Sequence, residues 1–253
     1  MSWRIAIRHR SGFVVTLVGV FLELTAFYFL SHAIGPGFRP GGIEYFPFLL
    51  VGTGVYTFFV MSAQAFLSAV QEAQQTGTLE VLMTTSTAPA ELVILSSISA
   101  FAANLVNLLV YLFAGVAVFR ASIHANFLSC AAVLIFSLAV ALAFGIAAAT
   151  LQVLFQKGSA LLWLFGSGLW CLSGAMFPIQ SLPRPLELLA RATPLTYAVD
   201  GMRRALLRGQ SPLTMAPTLA ALAGFAVILL PLALTGLSLS LRHARQNGTL
   251  SFY

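Results

Sequence analysis

The side chains that could do chemistry are few in this sequence and lie far apart along it. Lys157 is the only lysine, and no phosphate-binding G-x-x-x-x-G-K-[ST] motif surrounds it, so the chain alone is not expected to hydrolyse ATP. Ser167 has no histidine at a comparable depth that could act as its base. A zinc site is also unexpected, because no two of the four histidines share a helical face; they are His9, His32, His124 and His243. The chain is therefore not expected to be an enzyme by itself.

Glu23 is the one ionisable group near the middle of a predicted membrane span. An unpaired carboxylate at that depth is costly, so Glu23 needs a partner or water. Three interpretations stay open: an inward-facing polar point on a transport path, the coupling site of an ion- or proton-driven secondary transporter, and a structural hydrogen bond to a neighbouring span. A proton path usually contains several ionisable groups. Here only amides lie at a comparable depth, namely Asn104, Asn107 and Gln152.

A polar segment at residues 71–91 holds three of the seven acidic residues, Glu72, Glu80 and Glu91. Gly77 is expected to end the helix before it. Apolar residues then recur at i, i+3 and i+4 with Glu80 on another side, which predicts a short amphipathic helix; they are Leu79, Leu82 and Met83. Pro89 and Glu91 suit the first turn of the next helix.

A second segment, residues 177–212, contains four prolines within 17 residues, and these predict short broken helices. They are Pro178, Pro183, Pro185 and Pro194. Charged residues follow at helical spacing. Glu187 is within reach of Arg184 and Arg191, and Asp200 is within reach of Arg203 and Arg204, so these pairs can partly neutralise one another.

The elements that hold these groups are membrane-spanning helices. Of the 253 residues 59% are hydrophobic and 8% are charged, whereas about a quarter of the residues in a soluble domain carry charge. Long uncharged stretches exceed the roughly 20 residues that a span needs. The sequence predicts an all-α integral membrane protein with one domain, residues 1–253, and six spans. They lie at about 13–30, 45–70, 92–118, 125–155, 160–175 and 215–241.

Basic residues outnumber acidic ones by 13 to 7, which suits a surface of anionic lipid. They are scattered between the spans rather than aligned, so nucleic acid is not an expected partner. Six basic residues lie on the side of the termini and seven on the other, so their count does not decide the orientation. Arginines 4, 8 and 10 immediately precede the first span and favour cytoplasmic termini. Within span 4, Ala141, Gly145 and Ala149 recur every fourth residue, which predicts close packing of this helix inside the bundle.

The two polar segments resemble those of one transporter family. Glu72, Gly77, Thr78, Leu79, Glu80 and Leu82 are similar to the cytoplasmic loop of ATP-binding-cassette (ABC) permeases of the type-2 exporter superfamily. The stretch from Phe177 to Arg203 is similar to the family's connection between spans 5 and 6, and its matching positions include Pro178, Pro183, Pro194, Tyr197 and Asp200. One departure is Ser86, where the family often has proline.

The resemblance implies a permease half that forms a homodimer, or a dimer with a paralogue, in the cell (inner or plasma) membrane. A separate pair of ABC ATPase subunits would bind ATP and Mg²⁺, so no cofactor is expected in this chain. They would contact the coupling residues, which are Glu72, Gly77, Thr78, Leu79, Glu80, Leu82 and Met83. Residues 177–212 would form re-entrant helices at the outer face. They would either gate the exit, through Pro178, Pro183, Pro194, Tyr197, Asp200 and Arg203, or only brace spans 5 and 6.

The expected function is thus ATP-driven export of an amphipathic substrate: a drug, a lipid or a lipid-linked glycan. The alternatives are a secondary transporter that uses Glu23, a membrane-embedded enzyme and a non-transporting assembly factor. The membrane-embedded enzyme is disfavoured because the sequence lacks clusters of catalytic side chains. No feature of the sequence excludes the assembly factor.

Overall fold

The computed structural model describes residues 2–77, 89–155 and 158–247, and the described residues are helical with no strand among them. The all-α prediction is confirmed for this part of the chain. The α-helices are α1 Ser2–Ile34, α2 Tyr45–Gln75, α3 Pro89–Ala117, α4 Phe127–Phe155, α5 Gly158–Leu172, α6 Arg184–Arg191, α7 Pro194–Leu207 and α8 Ala216–Asn247. Two short 3₁₀ helices, Pro40–Gly42 and Ile179–Ser181, lie in the connections.

Four helices within the described residues are long and apolar enough to cross a membrane: Tyr45–Gln75, Val93–Ala117, Phe127–Phe155 and Ala216–Ala244. A shorter apolar segment, Val18–Ile34, lies in α1. Helix α5 has 15 residues, fewer than the roughly 20 that a straight span needs. The chain is a multi-pass membrane protein, and the number of six spans stays a prediction.

Prolines and glycines set several helix ends. Helix α3 begins at Pro89 with Glu91 in its first turn, as predicted. Helix α7 begins at Pro194, where the missing N–H of proline costs no helical hydrogen bond. Helix α5 ends at Leu172, before the predicted limit of 175, and Gly174 has a φ of +73°. That left-handed conformation suits glycine and turns the chain away from the helix axis.

Helices α2 and α4 form the centre of the bundle. Helix α2 packs on α1, α3, α4, α5 and α7, whereas α4 packs on α2, α5, α7 and α8. Gly145 of α4 faces the fully buried Phe66 of α2, and a Cβ at Gly145 would lie 2.4 Å from the Phe66 ring. Ala141 and Ala149 on the same strip are also fully buried. The predicted close packing of this helix is confirmed.

Helices α1 and α5 lie at the periphery of the bundle. Within the described residues helix α1 packs mainly on α2 and α3, and it exposes Phe21 and Phe29. Helix α5 exposes Trp163 and Trp170, at 75% and 39% of their surfaces. Such large apolar side chains on the outside suit a surface that lipid or another apolar partner covers.

Candidate functional site

The predicted coupling segment, residues 72–83, begins in the last turn of α2. The Thr76 hydroxyl donates a hydrogen bond to the carbonyl oxygen of Glu72 at 2.9 Å, and Gly77 follows with a φ of +68°. A left-handed glycine just after the C-cap is a common way to end a helix. Thr78, Leu79, Glu80, Leu82 and Met83 lie outside the described residues, so the amphipathic helix stays a prediction.

Two buried amides join α2 to α4 next to this turn. Gln152 Nε2 donates a hydrogen bond to Gln74 Oε1 at 2.9 Å, and the two residues are 0% and 2% exposed. A buried amide that loses its partner costs about 1–3 kcal/mol. The end of α2 is therefore expected to carry α4 along if it moves.

Arg203 of α7 is buried among backbone carbonyl groups rather than beside a carboxylate. Its Nε and Nη2 donate to the carbonyl oxygen of Phe48 at 3.1 and 2.9 Å. Its Nη1 donates to the Gly174 oxygen at 2.7 Å, and Nη2 also donates to the Ala175 oxygen at 2.6 Å. One side chain thus ties α7 to the first turns of α2 and to the turn after α5. We call this arrangement the Arg203 brace.

Close packing holds the guanidinium in place. It lies 3.4 Å from the centre of the Phe48 ring, within the range of a cation–π interaction. A Cβ at Gly52 would lie 2.1 Å from Arg203 Nη2, so only glycine leaves room for the guanidinium. Burial lowers the pKa of Arg203 to about 9 and Asp200 opposes this shift, so the group keeps its charge at neutral pH.

The predicted ion pairs form with one partner each. Arg204 contacts Asp200 at 2.8 Å, and Arg191 contacts Glu187 at 2.5 Å, both at i, i+4 spacing. Arg203, the other predicted partner of Asp200, donates its hydrogen bonds to carbonyl groups instead. Both ion pairs are partly exposed, so each is expected to contribute at most about 1 kcal/mol to stability.

Four of the six predicted gate residues lie around one cavity at the α6–α7 end of the bundle. Pro178, Tyr197, Asp200 and Arg203 all line this cavity, whose volume is about 400 Å³. The Tyr197 ring also packs against Phe225 of α8, with 5.8 Å between ring centres. Pro183 and Pro194 do not line the cavity; they precede α6 and begin α7. The structure therefore brings together four of the six predicted gate residues.

Glu23 lies half-buried on α1 and does not line the cavity at the α6–α7 end. Its neighbour in sequence, Leu24, packs with Phe46, Leu50 and the buried Tyr111 of α3. Within the described residues no hydrogen-bond partner is found for the Tyr111 hydroxyl. No group of three potential metal ligands is found in the same part of the chain.

Several residues of these sites gave no signal in the sequence. Phe48, Gly174 and Ala175 contribute backbone carbonyl oxygens, which every residue has. Gln74 is one of several amides near the end of α2, and its pairing with Gln152 spans 78 positions. The glycines at positions 52 and 54, inside a span rich in bulky residues, are hints that other groups approach this helix closely.

Comparison with known families finds a match over most of the chain. The family model of the ABC-2 family transporter proteins matches residues 39–235, about three quarters of the chain. The matched range contains the paired amides, the Arg203 brace and the two polar segments. No curated protein sequence matches the chain significantly.

Proposed function

The chain belongs to the ABC-2 family of transporter proteins, and on this premise we propose that it is the membrane-spanning permease subunit of an ATP-driven exporter. The family is one of membrane transport subunits, and membership implies a partnership with an ABC ATPase subunit. The match over residues 39–235 is the observation that carries the proposal. Export, the site of coupling and the presence of a second permease copy are parts of the proposal.

We place the ATPase contact at residues 72–83, on the cytoplasmic side together with both termini. Gly77 turns the chain at the end of α2, so the residues after it can lie across the end of the bundle. The hydrogen bond between Gln74 and Gln152 links that end of α2 to α4. Movement of the ATPase subunits would thereby reach the two central helices.

At the opposite end of the bundle, α6 and α7 would cap the path. The Arg203 brace fixes α7 to α2, so α7 would follow α2 as one rigid body. Nucleotide binding would bring the ATPase subunits together and tilt α2 and α4 in both permease copies. The path between the copies would then open to the outer side, as alternating access requires.

An apolar cavity favours an amphipathic cargo. It has a volume of about 280 Å³, lies between α2, α4, α5 and the start of α7, and has no charged side chain among the described residues of its lining. Phe59, Phe144 and Leu169 are among the side chains around it. A drug, a lipid or a lipid-linked glycan could place its apolar part there.

The coupling assignment is tested by co-purification with the ATPase subunit. We expect Glu80→Arg combined with Leu82→Asp to abolish the association, because both changes alter the predicted contact surface. The matched control is Arg184→Glu combined with Leu188→Asp, which makes similar changes on the exposed α6. Association that survives in the first variant would show that the ATPase subunit binds elsewhere.

Transport in proteoliposomes separates the exporter from the secondary transporter. Vesicles with this chain alone should not accumulate a fluorescent amphipathic dye, whereas addition of the ATPase subunit and ATP should start transport. Glu23→Gln should leave the ATP-driven rate within about twofold of the unaltered chain. Uphill transport by the chain alone that Glu23→Gln abolishes would establish the secondary transporter instead.

A further inference from the structure

The cavity at the α6–α7 end has a strongly basic lining. We call it the arginine cavity, and its charged lining residues are Arg191, Arg203, Arg204, Arg208 and Asp200. Four cations and one anion leave an excess of three positive charges around about 400 Å³ of space. The hydroxyl-bearing residues Thr196 and Tyr197 line it as well.

Neighbouring groups neutralise only part of this charge. Glu187 pairs with Arg191, and Asp200 pairs with Arg204. Arg203 and Arg208 donate hydrogen bonds to backbone carbonyl oxygens, which carry no formal charge; the acceptor of Arg208 is Gly41. Two of the four guanidinium charges in the lining therefore have no carboxylate partner among the described residues.

Three of these arginines are accessible to a ligand: Arg191 of α6, with 58% of its side chain exposed, and Arg204 and Arg208 at the end of α7. Arg208 is exposed, and Arg204 keeps 39% of its side chain exposed despite its ion pair. A guanidinium presents paired N–H donors that match the oxygens of a phosphate group. The buried Arg203 uses four of its five N–H groups within the protein and adds its charge to the field of the cavity.

The surroundings place the cavity near an apolar surface. Helix α6, which contributes Arg191 to the lining, exposes Leu186, Leu188 and Leu189 at 41%, 64% and 55% of their surfaces. A short helix that combines exposed leucines with charged residues is typical of the membrane interface. At that depth the anions available are the phosphates of lipid headgroups and those dissolved in water.

From this juxtaposition we infer that the arginine cavity is a binding site for a phosphate-type anion, held chiefly by Arg204 and Arg208. Asp200 lies in the same lining and holds Arg204 at 2.8 Å, so it competes with an incoming anion. Removal of the Asp200 charge should strengthen binding, whereas removal of the Arg204 and Arg208 charges should weaken it.

The test uses the purified full chain in neutral detergent, without ATPase subunit or nucleotide. One arm measures binding of inorganic phosphate by equilibrium dialysis at constant ionic strength. The other uses native mass spectrometry to compare retention of phosphatidylglycerol and phosphatidylcholine from mixed micelles. The variants are Arg204→Gln with Arg208→Gln, and Asp200→Asn. Arg184→Gln is the matched control, because Arg184 is an exposed arginine of α6 outside the lining.

We expect the double variant to weaken anion binding by about 10-fold or more, because charge-assisted hydrogen bonds are lost. Arg184→Gln should leave it unchanged, and Asp200→Asn should strengthen it, an effect that misfolding would not produce. Arginine-dependent binding of phosphatidylglycerol but not of phosphate assigns the site to a lipid headgroup, and binding of phosphate alone assigns it to a soluble anion.

Absence of binding in both arms, or equal losses in the double variant and Arg184→Gln, would overturn the inference. These outcomes leave the proposed function untouched, because ATPase association and ATP-driven transport are measured separately. Conversely, anion binding can persist in a chain that fails to associate with any ATPase subunit.

Discussion

The Arg203 brace allows a quantitative prediction about stability. Replacement of Arg203 by Met keeps the length of the side chain but removes all four hydrogen bonds. The Phe48 oxygen lies inside α2, where the helix supplies another donor. The oxygens of Gly174 and Ala175 lie outside any helix, and within the described residues Arg203 is the donor found for them. Two buried acceptors would therefore lose their partner.

Each buried acceptor without a partner costs about 1–3 kcal/mol. Part of this cost is offset, because a buried charge no longer has to be removed from water. We therefore expect Arg203→Met to lower the free energy of unfolding by about 2–4 kcal/mol. For a chain of this size that corresponds to a fall of roughly 5–15 °C in the melting midpoint. The melting midpoint of Arg203→Lys should lie between those of the unaltered chain and Arg203→Met, because an ammonium group cannot reproduce the planar set of donors of a guanidinium.

The measurement is the melting midpoint of the purified chain in detergent, followed by tryptophan fluorescence. Arg204→Met is the matched control: the same substitution at the adjacent residue removes one partly exposed ion pair. It should cost at most about 1 kcal/mol, or about 4 °C. Equal shifts in the two variants, or no shift in Arg203→Met, would refute the role assigned to the brace.

Three further predictions concern packing and topology. Gln152→Leu should lower the free energy of unfolding by about 1–3 kcal/mol, because it leaves the Gln74 amide without this partner. The double variant with leucine at positions 74 and 152 should have a higher melting midpoint than Gln152→Leu. Additive losses of stability in the two single variants and the double variant would contradict the pairing. Gly52→Ala should lower the melting midpoint, because the new Cβ would lie 2.1 Å from Arg203 Nη2 and 2.3 Å from the Ala175 oxygen. In the control Gly224→Ala the new Cβ has no neighbour within 4 Å, so the melting midpoint should stay unchanged or rise. In a chain whose native cysteines are replaced by serine, cysteines at the exposed positions Gln75 and Ser181 should react with an impermeant maleimide from opposite sides of the membrane; labelling from one side would contradict the proposed topology.

Local features of the structure were predictable from the sequence. The i, i+4 pairs of Arg191 with Glu187 and of Arg204 with Asp200 depend only on helical spacing. The start of α3 at Pro89 depends on the geometry of proline. The length of α5 was less predictable, because uncharged residues continue past Leu172 while the backbone turns at Gly174.

The partner of Arg203 shows where spacing is not enough. Asp200 and the carbonyl oxygens of Phe48, Gly174 and Ala175 are all possible acceptors. The observed bond to Phe48 joins residues 155 positions apart. It forms because α7 packs against α2 at a glycine, and backbone carbonyl groups leave no trace in residue type.

The sequence by itself determined that this chain is a helical membrane protein, where its helices are interrupted and which family it belongs to. These properties follow from hydropathy, from proline and glycine, and from short motifs, all of which act over a few neighbouring residues. Only the tertiary structure decided that Arg203 is a brace, that Gln74 pairs with Gln152 and that four arginines surround one cavity. Each of these depends on which helices pack together, and interactions between distant segments decide that packing.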